Sequence, residues 1–144
     1  MAKKIRIEDA LCFGLYTTSR LMTQVYGPYL KTVGLTYPQF LVMNLLWEKD
    51  HLNLKDIGER LYLDSGTLTP LIKRLVDQKL ILKKRFKSDE RAIEISLTKK
   101  GKDLELKCAD IPMQMFCKLN VSTEQFLEIH RGVNLIMKNL LSHC

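Results

Sequence analysis

The feature that most constrains this chain is a change of hydrophobic period partway along it. Up to about Lys79 the apolar residues recur at helical spacing. Ile81-Leu82-Lys83-Lys84-Arg85-Phe86 and Arg91-Ala92-Ile93-Glu94-Ile95-Ser96-Leu97 instead alternate, on either side of the polar run Lys87-Ser88-Asp89-Glu90. A period of 2 predicts two strands, and the polar run predicts the tip between them. Helical spacing resumes after Thr98. A single hairpin set among helices leaves few architectures open.

The helical segments are divided by recognisable start and stop residues. From Ile7 to about Lys31, Leu11, Leu15, Thr18, Met22, Val25 and Tyr29 follow at spacings of 4, 3, 4, 3 and 4, which predicts a long amphipathic helix ended by Gly34. Thr36-Tyr37-Pro38-Gln39 has the form of a capping box with proline in the first turn, and it opens a helix whose apolar body is Phe40 to Trp47. Asn53 is expected to cap a short helix with Leu54, Ile57 and Leu61 inward. Asp64 or Ser65 opens another running to about Lys79, with Leu68, Leu71, Ile72, Leu75 and Val76 on one stripe. Pro70 is expected near its start, where a missing amide costs less than at mid-helix. Past the hairpin, a helix through Leu104 and Cys108 should kink or break near Pro112. Ser122 and Gln125 then cap a last helix carrying Phe126, Ile129, Val133, Ile136 and Leu140 at spacings of 3, 4, 3 and 4.

This order predicts a mainly α fold with a small β hairpin: a winged helix-turn-helix lobe over residues 36–98 within a single regulator domain spanning 1–144. The first and last helices carry apolar seams that one small core cannot cover. Residues 7–33 and 99–142 are therefore read as the dimerisation helices of a two-fold homodimer.

Charge gives this architecture a partner. The net charge of +7 sits between residues 73 and 102, where 11 bases face 4 acids, while the flanking segments nearly cancel. Most charge runs are merely solvated faces, but this one coincides with the second helix of the helix-turn-helix and with the wing, as double-stranded DNA requires. Outside the apolar stripe of that helix lie Ser65, Thr67, Thr69, Pro70, Lys73 and Arg74, suited to phosphates and base edges in a major groove. The wing adds Lys83, Lys84, Arg85, Lys87, Asp89 and Arg91, with Asp89 and Arg91 placed to pair at its tip. No run of 18 apolar residues and no signal-peptide core is present, so a cytoplasmic protein with no membrane partner is expected. Cys12, Cys108, Cys117 and Cys144 lack the paired C-x-x-C spacing of a zinc or redox site, and no metal or cofactor is called for.

Cys12 falls in the first turns of its helix, where unpaired amides and the helix field favour an anionic sulfur and Asp9 opposes it; Tyr16, four residues on, shares its face. On these residues alone, a quiet buried thiol and a reactive one both stay open.

Four segments resemble a known family: Leu11-Cys12-Phe13-Gly14-Leu15-Tyr16, Leu35-Thr36-Tyr37-Pro38-Gln39-Phe40, Leu61 to Leu71 (reading LYLDSGTLTPL), and Ser88-Asp89-Glu90-Arg91. They are similar to the organic hydroperoxide resistance regulators, a branch of the multiple antibiotic resistance regulator (MarR) family, and the likeness extends over nearly the whole chain. The resemblance implies a dimeric winged helix-turn-helix regulator, most often a repressor, bound to an inverted-repeat operator and released when an organic hydroperoxide oxidises its N-terminal cysteine. That role falls on Cys12. The family's tyrosines that bond to this cysteine match Tyr26 and Tyr37, with Tyr16 nearby. In some members a small thiol caps the oxidised sensor; in others a second cysteine of the partner subunit resolves it, and the residue matching it here is Cys117. The apolar context Pro112-Met113-Gln114-Met115-Phe116-Cys117 leaves a buried thiol as the alternative. Two other readings compete. One is a regulator gated by an aromatic or phenolic small molecule; the other is a thiol peroxidase, against which the absent C-x-x-C and the remote charge on the wing both argue.

Overall fold

The computed structural model describes residues 5–85 and 92–143. A short 3-10 turn, Ile7–Asp9, is followed by α1 (Leu11–Thr32), α2 (Tyr37–Glu48), β1 (Leu52–Asn53), α3 (Leu54–Leu61), α4 (Ser65–Asp77), β2 (Ile81–Arg85), β3 (Ile93–Leu97), α5 (Lys99–Cys108), α6 (Ile111–Leu119) and α7 (Thr123–Leu141). This is a mainly helical, winged helix-turn-helix fold with a small antiparallel sheet. The chain divides into two compact units, residues 1–109 and 110–144.

In the first unit the expected end signals act as written. α1 stops at Gly34, whose φ of 72° lies in the left-handed region; its amide bonds to the Lys31 carbonyl at 3.2 Å, and that of Leu35 to the Leu30 carbonyl at 3.0 Å. Leu30 and Leu35, either side of this turn, are both buried, as in a Schellman end. Gln39 Oε1 then accepts the Thr36 amide at 2.8 Å. α2 buries Phe40, Val42, Met43, Leu45 and Leu46, so it is apolar on nearly every side and forms the centre of the head. Asn53 Oδ1 caps α3 by accepting the Lys55 amide at 3.0 Å, and Asp64, not Ser65, caps α4 by accepting the Thr67 amide at 2.8 Å.

β2 and β3 pair in the register Ile81↔Leu97, Lys83↔Ile95 and Arg85↔Ile93. A third strand escapes the periodicity argument: Leu52 and Asn53 pair with Ile95 and Glu94, giving the order β1-β3-β2. Two residues are too few to display a period. Since β3 is central, β2 is a free edge, and its exposed Lys83, Lys84 and Arg85 discourage a further strand from adding there.

α5 is anchored to the head at its first turn. Thr98 Oγ1 accepts the Gly101 amide at 3.0 Å and donates to the Lys79 carbonyl at 2.7 Å, while Trp47 Nε1 donates to the Gly101 carbonyl at 2.9 Å. Gly101 passes so close to the strand entrance that a Cβ there would lie 2.1 Å from the Leu80 carbonyl oxygen. Asp50 adds a polar tie, accepting the Leu97 amide at 2.8 Å, the His51 amide at 2.9 Å and Lys102 Nζ at 3.1 Å. Burial pushes its carboxyl pKa up, but these donors outweigh burial and hold it below the usual carboxylate range.

In the second unit, α6 begins with Pro112 in its first turn, so the chain breaks into two helices at this proline. Asn120, left-handed at φ 50°, ends α6, and Ser122 and Gln125 form the capping box of α7 with bonds of 2.9 and 3.2 Å. Phe116 meets Phe126 edge-on at 5.3 Å. α7 buries no residue at all, leaving Leu127, Ile129, Val133, Leu135 and Leu140 exposed. α1 buries only Leu30. Among the described residues, no helix is long and apolar enough to cross a membrane.

Candidate nucleic-acid interface and thiol site

The recognition element is built by α4. Leu68, Ile72 and Leu75 hold it to the head, and this leaves Ser65, Thr67, Thr69, Pro70, Lys73 and Arg74 exposed, as the sequence predicts. Asp64 grips the first turn twice, through the Thr67 amide and through the Thr67 hydroxyl at 3.0 Å; these two bonds hold its carboxyl pKa below the ordinary range. Pro70 requires a correction. It is the sixth residue of α4, past the four amides that no helix can pair, so it does remove one intrahelical bond. The acceptor this leaves, the Gly66 carbonyl, belongs to an exposed residue that solvent reaches, which is why α4 continues unbroken to Asp77.

On the wing, Arg85 is exposed at the end of β2. Lys87, Asp89 and Arg91 lie outside the described residues. Between α3, the start of α4 and the first residue of β3 lies an open cleft of about 650 Å³, lined among others by Asn53, Lys55, Tyr62, Ser65, Thr69 and Ile93. Of these, Asn53, Lys55 and Tyr62 are not among the DNA-contact candidates read from the sequence. The only signal was an aromatic residue in the turn between the two helices, where Leu61 and Leu63 make it look like part of an apolar run.

Cys12 is exposed in the first turn of α1, and Cys117 is exposed on α6. Cys108 is buried, and burial pushes its thiol pKa up, which suits an inert structural residue. The three tyrosines separate into two places. Tyr16 is 62% exposed, with the Arg20 guanidinium 5.5 Å over its ring. Tyr26 and Tyr37 pack together with ring centroids 4.8 Å apart, and Phe40 lies 6.0 Å from Tyr26. Burial raises the pKa of both phenols, and for Tyr26 the neighbouring Tyr37 adds to it, so both remain hydrogen-bond donors throughout the neutral range. Along α1, Tyr26 is 14 residues beyond Cys12, a rise of about 21 Å. Within one protomer the tyrosine pair and Cys12 therefore do not form one pocket. Among the described residues no group of three His, Cys, Asp or Glu side chains converges to hold a metal.

The first 109 residues thus form a winged reading head, and an exposed thiol stands at the far end of a helix with an uncovered apolar face. Residues 24–107 match the family model described as the transcriptional regulator SarA/Rot. The organic hydroperoxide resistance transcriptional regulator of Bacillus subtilis is 43% identical over 136 residues, covering 94% of this chain and 92% of that protein. The chain belongs to the organic hydroperoxide resistance branch of the MarR family of transcriptional regulators. Among solved structures of MarR-type regulators, reduced AbfR bound to DNA superposes with a TM-score of 0.77 at 33% identity, covering 91% of each chain. Disulfide-formed AbfR superposes at 0.67, again at 33% identity, over 92% of this chain and 90% of that one. AbfR is a protein of Staphylococcus epidermidis. Membership in this cysteine-based, redox-sensing branch makes the chain a transcriptional regulator and not a thiol peroxidase.

Proposed function

We propose that the chain is a repressor that grips an inverted-repeat operator as a homodimer and lets go when an organic hydroperoxide oxidises Cys12. The observation that carries this reading is Cys12 itself: an exposed thiol in the first turn of α1, in a chain 43% identical to an organic hydroperoxide resistance regulator. Ser65, Thr67, Thr69, Pro70, Lys73 and Arg74 enter the major groove, and Arg85, Lys87, Asp89 and Arg91 of the wing meet the neighbouring backbone or minor groove. Residues 36–98 form the DNA-binding lobe, and residues 7–33 and 99–142 supply the dimer contacts.

In the chemical step the Cys12 thiolate attacks the hydroperoxide. A sulfur–oxygen bond forms as the oxygen–oxygen bond breaks, leaving sulfenic acid and an alcohol. The Cys117 thiol of the partner subunit then displaces water to give an intersubunit disulfide. Bridged α-carbons must lie within about 7 Å, so closure ties the two subunits in one geometry and shifts the reading heads off their half-site spacing. Because Tyr26 stands about 21 Å along α1 from Cys12 and Tyr37 packs on Tyr26, the phenols that serve a given Cys12 come from the partner, with Tyr16 covering the sulfur from its own helix.

The test is operator release, followed by anisotropy, on adding cumene hydroperoxide. Wild type should release and Cys12→Ser should stay bound; release by Cys12→Ser sinks the reading. Oxidised wild type should also run as a dimer on a non-reducing gel and Cys117→Ser as a monomer. A dimer band that survives Cys117→Ser removes Cys117 from the mechanism and leaves Cys12 in it.

A further inference from the structure

We propose that Tyr62, in the turn between α3 and α4, is a DNA-contact residue whose phenol donates a hydrogen bond to a backbone phosphate beside the groove read by α4. The inference rests on the DNA-binding reading above and starts from a backbone outlier. Tyr62 is left-handed, at φ 54° and ψ 40°, closing α3 with its own amide on the Glu59 carbonyl at 3.3 Å and the Leu63 amide on the Gly58 carbonyl at 2.9 Å. That position in a helix end belongs to glycine, or next to asparagine, because a Cβ there crowds the backbone. A tyrosine is costlier, and burial does little to offset it: the residue is 61% exposed. Strain held at a surface position without packing reward is the pattern of a residue kept for what it touches.

Its surroundings say what that is. Tyr62 lines the open cleft together with Ser65 and Thr69, two hydroxyls of the reading helix. Two carboxylates stand on the same wall, yet each is already engaged: Asp64 with the Thr67 amide and hydroxyl, and Glu59 with Lys55 Nζ at 3.6 Å. The wall therefore offers an anion the Lys55 ammonium, the Asn53 amide and the hydroxyls of Tyr62, Ser65 and Thr69, and tyrosine is among the side chains that position DNA through its phosphates. The turn of a helix-turn-helix is also the part that runs beside the backbone while the second helix enters the groove.

The test uses the full-length reduced dimer and a duplex selected by the wild type from a random-sequence pool. Tyr62→Phe should bind about tenfold to a hundredfold more weakly, as expected for losing a hydrogen bond to a charged group. The loss should be equal on the selected and on an unrelated duplex. The slope of log K against log salt should stay at the wild-type value, because a neutral donor releases no counterion, whereas Lys73→Ala, which removes one ammonium from each half-site, should lower that slope by about two. Tyr62→Gly should lose the same affinity while melting no lower than wild type, since glycine relieves the left-handed backbone. A methylphosphonate scan should find one phosphate in each half-site whose neutralisation weakens wild type but not Tyr62→Phe. Binding by Tyr62→Phe within about twofold of wild type overturns the proposal, as that is less than one such bond contributes. So does a loss confined to one base pair, which would mean base readout, or a lowered melting temperature for Tyr62→Gly, which would mean a structural role. Normal DNA binding by Tyr62→Phe with impaired repression would assign the phenol to a protein partner and equally overturn it. If wild type retains no duplex even at low salt, the DNA-binding reading fails first and takes this proposal with it.

Discussion

α4 and α7 are written in the same code and meet opposite fates. Both are capped at the N-terminus by a side chain accepting a backbone amide, and both carry a stripe of aliphatic residues at helical spacing. α4 buries Leu68, Ile72 and Leu75 inside its own chain, while α7 leaves Ile129, Val133 and Leu140 in water. An amphipathic pattern states that a face must be covered; it does not say by what. The head completes its core within one chain; if, as proposed, a second copy covers the outer helices, their contribution to stability depends on protein concentration and that of the head does not.

The contrast can be broken most forcefully at Gly101. Replacing it with alanine drives a methyl against the Leu80 carbonyl, and we expect a loss of about 3 kcal/mol or more in urea unfolding at any protein concentration. A loss below about 1 kcal/mol would show that the joint between head and α5 yields readily. Next is Leu140→Asp, which should weaken the dimer by about 2 kcal/mol for each leucine removed from the interface, seen by sedimentation. If the head then melts as before, the two regions are energetically separate; if it melts with the dimer, they are one cooperative unit.

Asp50→Asn sharpens the comparison through pH. Because the folded-state carboxyl of Asp50 is held below its ordinary value, its stabilisation is fully present above the unfolded value of about 4 and is lost as pH falls through the lower folded value. The stability gap between wild type and Asp50→Asn should thus be constant near neutrality and shrink only in acid, checked by urea titrations at a series of pH values. A gap that instead changes near neutral pH would remove the Asp50 carboxyl as its source. Asn53→Ala, the smallest effect, removes one α3 cap for about 1 kcal/mol and should leave dimerisation unchanged.

Much of the head was legible because its signals are local. Gly34, the Thr36–Gln39 box, Asn53, Asp64 and Thr98 each act through neighbours within a few residues, and the alternation at Ile81 and Ile93 reports strands directly. What stayed hidden depends on distant partners. β1 exists only because Leu52 and Asn53 meet β3, over forty positions later. The anchoring of α5 rests on Trp47 and Asp50, remote from it in sequence. At the site, the exposed face of α4 followed from its stripe. Tyr62 did not, because its significance lies in a φ angle and an exposure that its apolar neighbours conceal. The tyrosines matched to Cys12 show the converse: Tyr26, packed on Tyr37, is separated from Cys12 by its spacing along α1, so the proposed pairing needs the partner subunit.

At position 101 a hydrogen stands where any other residue would place carbon. No methyl fits there, and the base of the wing, the tryptophan of α2 and the first turn of α5 all meet at that one residue. α5 then serves as a crank about 15 Å long, ten residues at 1.5 Å each, with its handle at the Cys108 end. A pull at that end would meet the head first at Gly101, the residue whose hydrogen the Leu80 carbonyl leaves just room for.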